Sequence, residues 1–196
     1  MLLDNKVFFI KEQVDFMKLV DAYDILEPES GMQIGIAKEV LVMPMKILKF
    51  LFGKKILPTR VNVYDDENQE IVFYIKKYLT VRGYKVVVCD DQGELIGYFK
   101  NKVMTISGGF YVYDNVDREI AEIRGDWKGW NFRFLNTRAK RIGYITKKWG
   151  GIGKELFETS NSYMIFLEEI ENLGQKEKAL LLAAGLAIDI IYKEKE

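Results

Sequence analysis

The sequence predicts a mainly β fold: a closed antiparallel barrel of about ten to twelve strands, built from hairpin repeats around a buried hydrophobic C-terminal α-helix. Apolar, aromatic-rich stretches alternate with polar turns, and the turn residues Asp65, Asp90, Asp114 and Asn136 are 25, 24 and 22 residues apart. A sheet with so many strands rarely stays open, because twist curls it and exposed edges aggregate. The last long segment is apolar on nearly every face, which is typical of an enclosed helix.

Four hairpin units occupy the middle of the chain. Asp and Asn favour their turns because the side chains bond to nearby backbone and tolerate left-handed conformations, and β-branched or aromatic residues fill the flanks. The paired stretches are 61–68 with 71–75, 86–93 with 95–99, 110–115 with 119–123, and 131–137 with 141–146. A weaker unit pairs 22–26 with 33–36, and edge strands are expected near 6–10 and 163–166.

Two helices are predicted outside the hairpins. A short one covers about 44–52, with Pro44 near its first turn. The other covers 176–192, and its apolar part, residues 179–192, is interrupted by Asp189. That part would be roughly 21 Å long, against a hydrocarbon core of about 30 Å, so burial inside the barrel is favoured over spanning a bilayer. The residues assigned to the central helix are Leu181, Ala184, Gly185, Ile188 and Asp189. Enclosed, Asp189 needs a donor such as Lys, Arg, Trp or a backbone amide.

Composition narrows the classes of protein that fit. The 196 residues suit a single domain over 1–196, and 12 Phe, 11 Tyr and 3 Trp supply ample core material. Lys plus Arg equals Asp plus Glu at 29 each, which argues against a generally basic nucleic-acid binder. There is no His, which excludes histidine triads and histidine-ligated metals. The single Cys89 and the lack of a signal-peptide pattern favour a cytoplasmic protein.

The C-terminal half carries an ordered set of residues that resembles a known family. Ile142, Gly143, Ile145, Lys147, Trp149, Gly151, Glu155 and Phe157 stand in the order I-G-x-I-x-K-x-W-x-G-x-x-x-E-x-F, and an apolar stretch ending in Asp189 follows at 180–189. This pattern is similar to the phospholipid scramblase family and its LURP-one-related and Tubby-like relatives. The resemblance is specific from about 110 to 196. It implies a twelve-stranded barrel around a buried C-terminal helix and a lipid-related role.

The chain departs from that family at one place. Scramblases carry a calcium segment of the form Asp-Ala-Asp-x-Phe just before the last strand, whereas this chain has Thr159, Ser160, Asn161, Ser162 and Tyr163 there. Calcium sites need several hard oxygen ligands, usually with carboxylates among them. The degenerate segment, represented by Thr159, Asn161 and Tyr163, is therefore not expected to bind calcium. No metal site and no cofactor is predicted.

Positive charge is concentrated in two stretches. Residues 124–154 contain nine Lys or Arg and one acid, a net of +8, and residues 38–60 contain six and one, a net of +5. Such clustering suits an anionic partner, while the plainer alternative is a set of solvated strand faces. The cations assigned to anionic lipid are Lys46, Lys49, Lys54, Lys55, Arg133, Arg138, Lys140, Arg141, Lys147 and Lys148.

These observations favour a non-catalytic phospholipid- or membrane-associated binding module that docks anionic headgroups through a basic face. Residues 40–52 combine bulky apolar side chains with Lys46 and Lys49, which suits a bilayer interface, a cap on the barrel mouth or a dimer interface. Peripheral attachment to the inner face of the membrane fits this hypothesis, and no nucleic acid is expected as a partner. A protein-interaction domain without lipid binding and an enzyme acting on a lipid-like substrate remain the rival hypotheses.

Overall fold

Twelve antiparallel strands form a closed barrel in the computed structural model, which describes residues 1–13, 21–40, 59–66, 70–80, 83–101, 109–126, 130–147, 162–168 and 173–192. The strands are β1 Val7–Glu12, β2 Ala22–Leu26, β3 Gln33–Val40, β4 Thr59–Asp65, β5 Ile71–Thr80, β6 Gly83–Cys89, β7 Leu95–Asn101, β8 Gly109–Asp114, β9 Glu119–Asp126, β10 Asn131–Leu135, β11 Arg141–Thr146 and β12 Ser162–Leu167. A 3-10 helix, Leu2–Asp4, precedes β1, and the helix α1, Gln175–Tyr192, follows β12.

Every strand pairs with its neighbours in the sequence, and β1 pairs with β12 to close the barrel. The predicted hairpins are confirmed as β2–β3, β4–β5, β6–β7, β8–β9 and β10–β11. The two strands that the sequence placed at the edges of the sheet pair with each other, with Phe8 opposite Ile165. Closure therefore protects the backbone groups that an edge would expose.

Three of the hairpins turn in the same way. In each, an Asp or Asn side chain accepts a hydrogen bond from the backbone N–H four residues further on. These bonds join Glu94 to Asp90 at 2.8 Å, Arg118 to Asp114 at 2.9 Å, and Lys140 to Asn136 at 3.0 Å. The residue three positions after each acceptor is left-handed, with φ of 93° at Gly93, 62° at Asp117 and 57° at Ala139. Asp90, Asp114 and Asn136, which the sequence placed in turns, therefore satisfy turn backbone, whereas the buried carboxylate of Asp65 accepts from the Leu2 N–H.

Helix α1 lies inside the barrel, and residues 179–190 are buried on all of its faces. Of the predicted central-helix residues, Leu181, Ala184 and Ile188 are at most 1% exposed, Asp189 is 4% exposed and Gly185 is also buried, which confirms the enclosed helix. The part of the chain that the structure describes contains no helix with both the length and the hydropathy needed to cross a bilayer. The short helix predicted near 44–52 lies outside the described residues.

Glycine allows the barrel wall to approach α1 closely. A Cβ atom at Gly97 of β7 would lie 2.9 Å from Cδ2 of Leu180, closer than carbon atoms pack. On the helix itself, a Cβ at Gly185 would overlap the side chain of Ile165 in β12. The contacts on two sides of the helix therefore depend on residues without side chains.

The N-terminus of the chain covers one end of the barrel, where α1 begins. The Lys178 ammonium donates to the carbonyl of Leu3 at 3.0 Å, and the Leu2 backbone N–H donates to the buried carboxylate of Asp65 at 2.9 Å. The side chains of Leu2 and Leu3 are buried in the same core as the helix. The short hairpin turns lie at this same end of the barrel.

Truncation of a helix side chain tests whether α1 is the centre of the core. Leu186 is 0% exposed, so Leu186→Ala should lower the free energy of unfolding by about 2–5 kcal/mol through lost burial and the cavity left behind. Chemical denaturation measures the loss. The matched control is Val116→Ala in an exposed turn, 71% exposed, which should change stability by less than about 0.5 kcal/mol. Equal effects of the two substitutions would contradict an enclosed helix.

Candidate functional site

The barrel interior has little room for a ligand in the part that the structure describes. Helix α1 and the inward side chains of the strands fill it as one continuous core. A cleft beside the end of the helix, between Lys77 of β5 and Ile190, is too narrow to hold a water molecule. An enzyme acting on a lipid held in the barrel would need an interior pocket, whereas the described inward side chains pack against α1.

A polar group lies inside the barrel at the end where α1 finishes. Asp189, Tyr23 of β2 and Tyr163 of β12 are all buried there. Burial, reinforced by the negative charge of Asp189, raises the pKa of both tyrosines well above their usual value. The sequence anticipated Lys, Arg, Trp or backbone donors near Asp189 and did not anticipate the two phenols. Tyr163, placed by the sequence in the degenerate calcium segment, thus belongs to the core.

The raised tyrosine pKa values predict a loss of stability at alkaline pH. A folded-state pKa above the unfolded value of about 10 stabilises the protein below pH 10, and this contribution disappears as the pH rises further. For each buried tyrosine the free energy of unfolding should fall by up to about 1.4 kcal/mol per pH unit above 10. Denaturation at a series of pH values measures the slope.

Tyr163→Phe provides the matched variant for this slope. Among the described residues, the Tyr163 hydroxyl has no hydrogen-bond partner, so its removal should cost little at neutral pH. The variant should lose stability less steeply than the wild type above pH 10. An unchanged slope would show that Tyr163 does not ionise on unfolding and would contradict its burial.

The cations predicted from the sequence are spread along the barrel wall. Arg133 projects outward from β10, Arg138 and Lys140 lie in the β10–β11 turn, and Arg141 begins β11, all of them exposed. Lys147 follows the other end of β11. At about 3.3 Å per residue, Arg141 and Lys147 are roughly 20 Å apart, so the stretch does not form one compact patch.

Two of these cations contact partners on the protein itself. Arg141 forms an ion pair with Glu168 at 2.5 Å, and the Lys147 ammonium lies 4.1 Å from the ring centroid of Trp130. The structure therefore places Arg133, Arg138 and Lys140 as the more accessible members of the predicted set. Lys46, Lys49, Lys54, Lys55 and Lys148, with Thr159 and Asn161, lie outside the described residues.

A second basic surface, absent from the sequence-based assignment, covers the outer wall from β4 to β8. We call it the tyrosine–cation face. Its members are Arg60, Tyr74, Lys76, Tyr78, Lys85, Tyr98, Lys100, Tyr111 and Tyr113. Strand register brings them together: Arg60 is opposite Lys76, Tyr78 opposite Lys85, Tyr98 opposite Tyr113, and Lys100 opposite Tyr111. Directly opposed residues share a face of the sheet, so the set forms one continuous surface.

The cations of this face lie over tyrosine rings. The guanidinium of Arg60 is 4.0 Å and the ammonium of Lys76 is 4.9 Å from the ring centroid of Tyr74. The Lys100 ammonium lies 5.2 Å from the centroid of Tyr98 and 4.4 Å from that of Tyr113. The two latter rings stack with centroids 5.2 Å apart. Cation–π attraction of about 0.5–1 kcal/mol per exposed pair restricts where the charges sit.

Carboxylates are confined to the border of the tyrosine–cation face. The outward positions of β4 to β8 carry none in the described residues. At the border, the Tyr98 hydroxyl donates to Asp117 at 2.6 Å. Burial is the main cause that raises the pKa of Tyr98 to about 12, and this hydrogen bond is the second cause. On the neighbouring strand β9, by contrast, Arg124 pairs with Glu122 at 2.7 Å. The face therefore has a net positive charge that its own strands do not neutralise.

A signal for this face exists in the sequence, but it has a period of two. Tyr74, Lys76 and Tyr78 alternate along β5, as do Tyr98 and Lys100 along β7. Summing charge along the chain hides the pattern, because the acidic turns at 65–70 and 90–94 lie between these strands. The pattern becomes visible only when the charge is summed over the outward-facing residues of each strand, which alternate with the inward-facing ones, and the turns are left out.

The architecture defines the class of protein: a closed twelve-stranded barrel around an apolar helix, with its charges on the outer wall. A comparison with protein families matches residues 22–195 to the Scramblase model. The chain therefore belongs to the scramblase family, which confirms the resemblance found in its C-terminal half. This membership indicates a lipid-related function of the scramblase type. Searches of curated proteins and of solved structures gave no match.

Proposed function

We propose that the protein is a non-catalytic, membrane-associated binding module that docks anionic phospholipid headgroups through basic residues on the outside of the barrel. One observation carries the proposal: α1 occupies the interior, whereas exposed cations project from the outer wall. A binding surface on the outer wall suits a partner that is itself an extended surface, such as a bilayer. Membership of the scramblase family favours lipid over other anionic partners.

The proposed contacts include the cations assigned from the sequence. Arg133, Arg138 and Lys140 are exposed in the described part of the chain. The assignment of Lys46, Lys49, Lys54, Lys55 and Lys148 rests on the sequence, with Arg141 and Lys147 completing the set. Residues 41–58 connect the end of β3 to the start of β4, where Thr59 lies beside the last turns of α1. The two strand ends that this connection joins, Val40 and Thr59, lie at the end of the barrel opposite the turns.

Electrostatic attraction sets the expected strength and location of binding. Each Lys or Arg near an anionic leaflet contributes about 1 kcal/mol, so several together hold a protein at the membrane reversibly. The cytoplasmic leaflet carries the negative surface potential in most cells. We therefore propose a cytoplasmic protein that associates peripherally with the inner face of the membrane.

Sedimentation with lipid vesicles tests the proposed function directly. The protein should sediment with vesicles containing phosphatidylserine at low ionic strength and be released as salt is added, because salt screens exposed charges. Vesicles of phosphatidylcholine alone are the control and should retain far less protein. Absence of binding to every anionic vesicle at low salt would overturn the proposal. A stoichiometric protein partner recovered from the same preparation would then favour a protein-interaction domain.

Charge reversal in the β3–β4 connection tests the sequence-based part of the proposal. Lys46→Glu with Lys49→Glu should weaken vesicle binding at least tenfold, since two attractive charges become repulsive. Lys46→Arg with Lys49→Arg keeps the charge and should bind like the wild type. Equal binding by the reversed and the charge-preserving variants would remove these two lysines from the docking surface.

A further inference from the structure

We infer that the tyrosine–cation face is itself a docking surface for an anionic bilayer, separate from the cations assigned by the sequence. The inference rests on the proposed function and names the wall segment, β4 to β8, through which the barrel would lie on the membrane. Four cations, Arg60, Lys76, Lys85 and Lys100, stand on four adjacent strands. Neighbouring strands are about 4.8 Å apart, so these charges extend over roughly 15 Å across the wall.

The charges of this face are available to an external partner. In the described part of the chain, none of the four cations forms an ion pair with a carboxylate; Arg60 donates to the Asn62 side chain at 2.8 Å instead. The cations elsewhere on the wall differ in this respect, since Arg124 pairs with Glu122 and Arg141 with Glu168. A neutralised cation gains little from an anionic surface, whereas an uncompensated one gains its full attraction.

The tyrosine rings favour a bilayer over a single small anion. The four cations form two pairs, Arg60 with Lys76 over the Tyr74 ring and Lys85 with Lys100 over the Tyr98 ring, and these pairs stand on different strands. A phosphate pocket instead needs several donors converging on one point. Tyrosine combines an apolar ring with a polar hydroxyl and concentrates at membrane–water interfaces. Tyr78, 41% exposed, and the half-buried Tyr111 and Tyr113 present such rings beside the cations, whereas Tyr74 and Tyr98 are buried beneath them.

Two exposed side chains mark the part of the face that would enter the interface first. Tyr78 of β5 is 41% exposed, and Val40 of β3, directly opposite Arg60, is 40% exposed. Both stand toward the end of the barrel where α1 finishes, as do Arg60, Lys85 and Lys100 on their strands. Apolar surface and positive charge thus occur together at the same end, whereas the acidic β6–β7 turn lies at the other.

Neutralisation of three lysines tests the inference. Lys76→Gln, Lys85→Gln and Lys100→Gln together should weaken partition into phosphatidylserine-containing vesicles about 100-fold at low salt, since each charge is worth about fivefold. The triple Lys→Arg variant keeps the charge and should partition like the wild type. Far-ultraviolet circular dichroism and the denaturation midpoint report whether each variant is folded. If the triple variant is unfolded, Lys85→Gln and Lys100→Gln, at exposed positions, are measured singly with about fivefold effects expected.

A second variant tests the aromatic part. Tyr78→Ser should weaken binding several-fold at high salt as well as at low salt, because its contribution is apolar and is not screened. Inorganic phosphate should displace the protein from vesicles no better than sodium chloride of equal ionic strength. Specific displacement by phosphate would indicate a small-anion site and would overturn the bilayer inference.

The outcomes separate this inference from the proposed function. If the wild type binds no anionic vesicle, the proposed function fails and the inference fails with it. If the wild type binds and the triple Gln variant binds equally well, the inference alone is overturned. In that case the parallel variant Arg133→Gln, Arg138→Gln, Lys140→Gln should lose binding to anionic vesicles instead. The sequence-assigned cations would then be the docking surface.

Discussion

Enclosure of an apolar helix is the constraint on which the rest of this structure depends. Residues 179–190 of α1 have no polar face to turn toward water, and the closed wall of strands buries them on every side. The β1–β12 pairing and the close contacts at Gly97 and Gly185 serve that enclosure. The exposed cations described above stand on the outside of the same wall.

On the side of the barrel formed by β4 to β8, acidic and basic residues separate along the barrel axis. Acidic residues concentrate in the short turns, where Asp90 and Asp114 have a structural task in binding the turn backbone. Basic residues of the tyrosine–cation face stand nearer the opposite end, on strands without outward carboxylates. A net charge of zero therefore conceals an uneven distribution of charge on this side of the barrel. The same turn chemistry that stabilises the hairpins produces this separation, because it places the carboxylates away from the strand centres.

Local signals in the sequence were sufficient for most of the fold. Each hairpin depends on residues within about a dozen positions of its turn, so the repeat of Asp, Asn and Gly locates it. The enclosed helix followed from its composition and length. The pairing of β1 with β12 is not local, so closure is predicted only from the rarity of an open sheet with so many strands, and no signal in the two strands names them as partners. The site was harder to predict because its residues come from five strands, and a surface of that kind depends on strand parity and on the order of strands around the barrel.

The closing pair of strands has a consequence for how the chain reaches this structure. The hairpins can form as soon as their own residues are available, whereas Phe8 must wait for Ile165, which is synthesised more than 150 residues later. During translation the growing sheet has an open edge until β12 is available, and its concave side is unfilled until α1 is available. Late, long-range closure is slow and exposes aggregation-prone surface. The nascent chain is therefore most vulnerable while β1 to β11 are present and β12 and α1 are still missing, and chaperone protection at that stage would have the largest effect on yield.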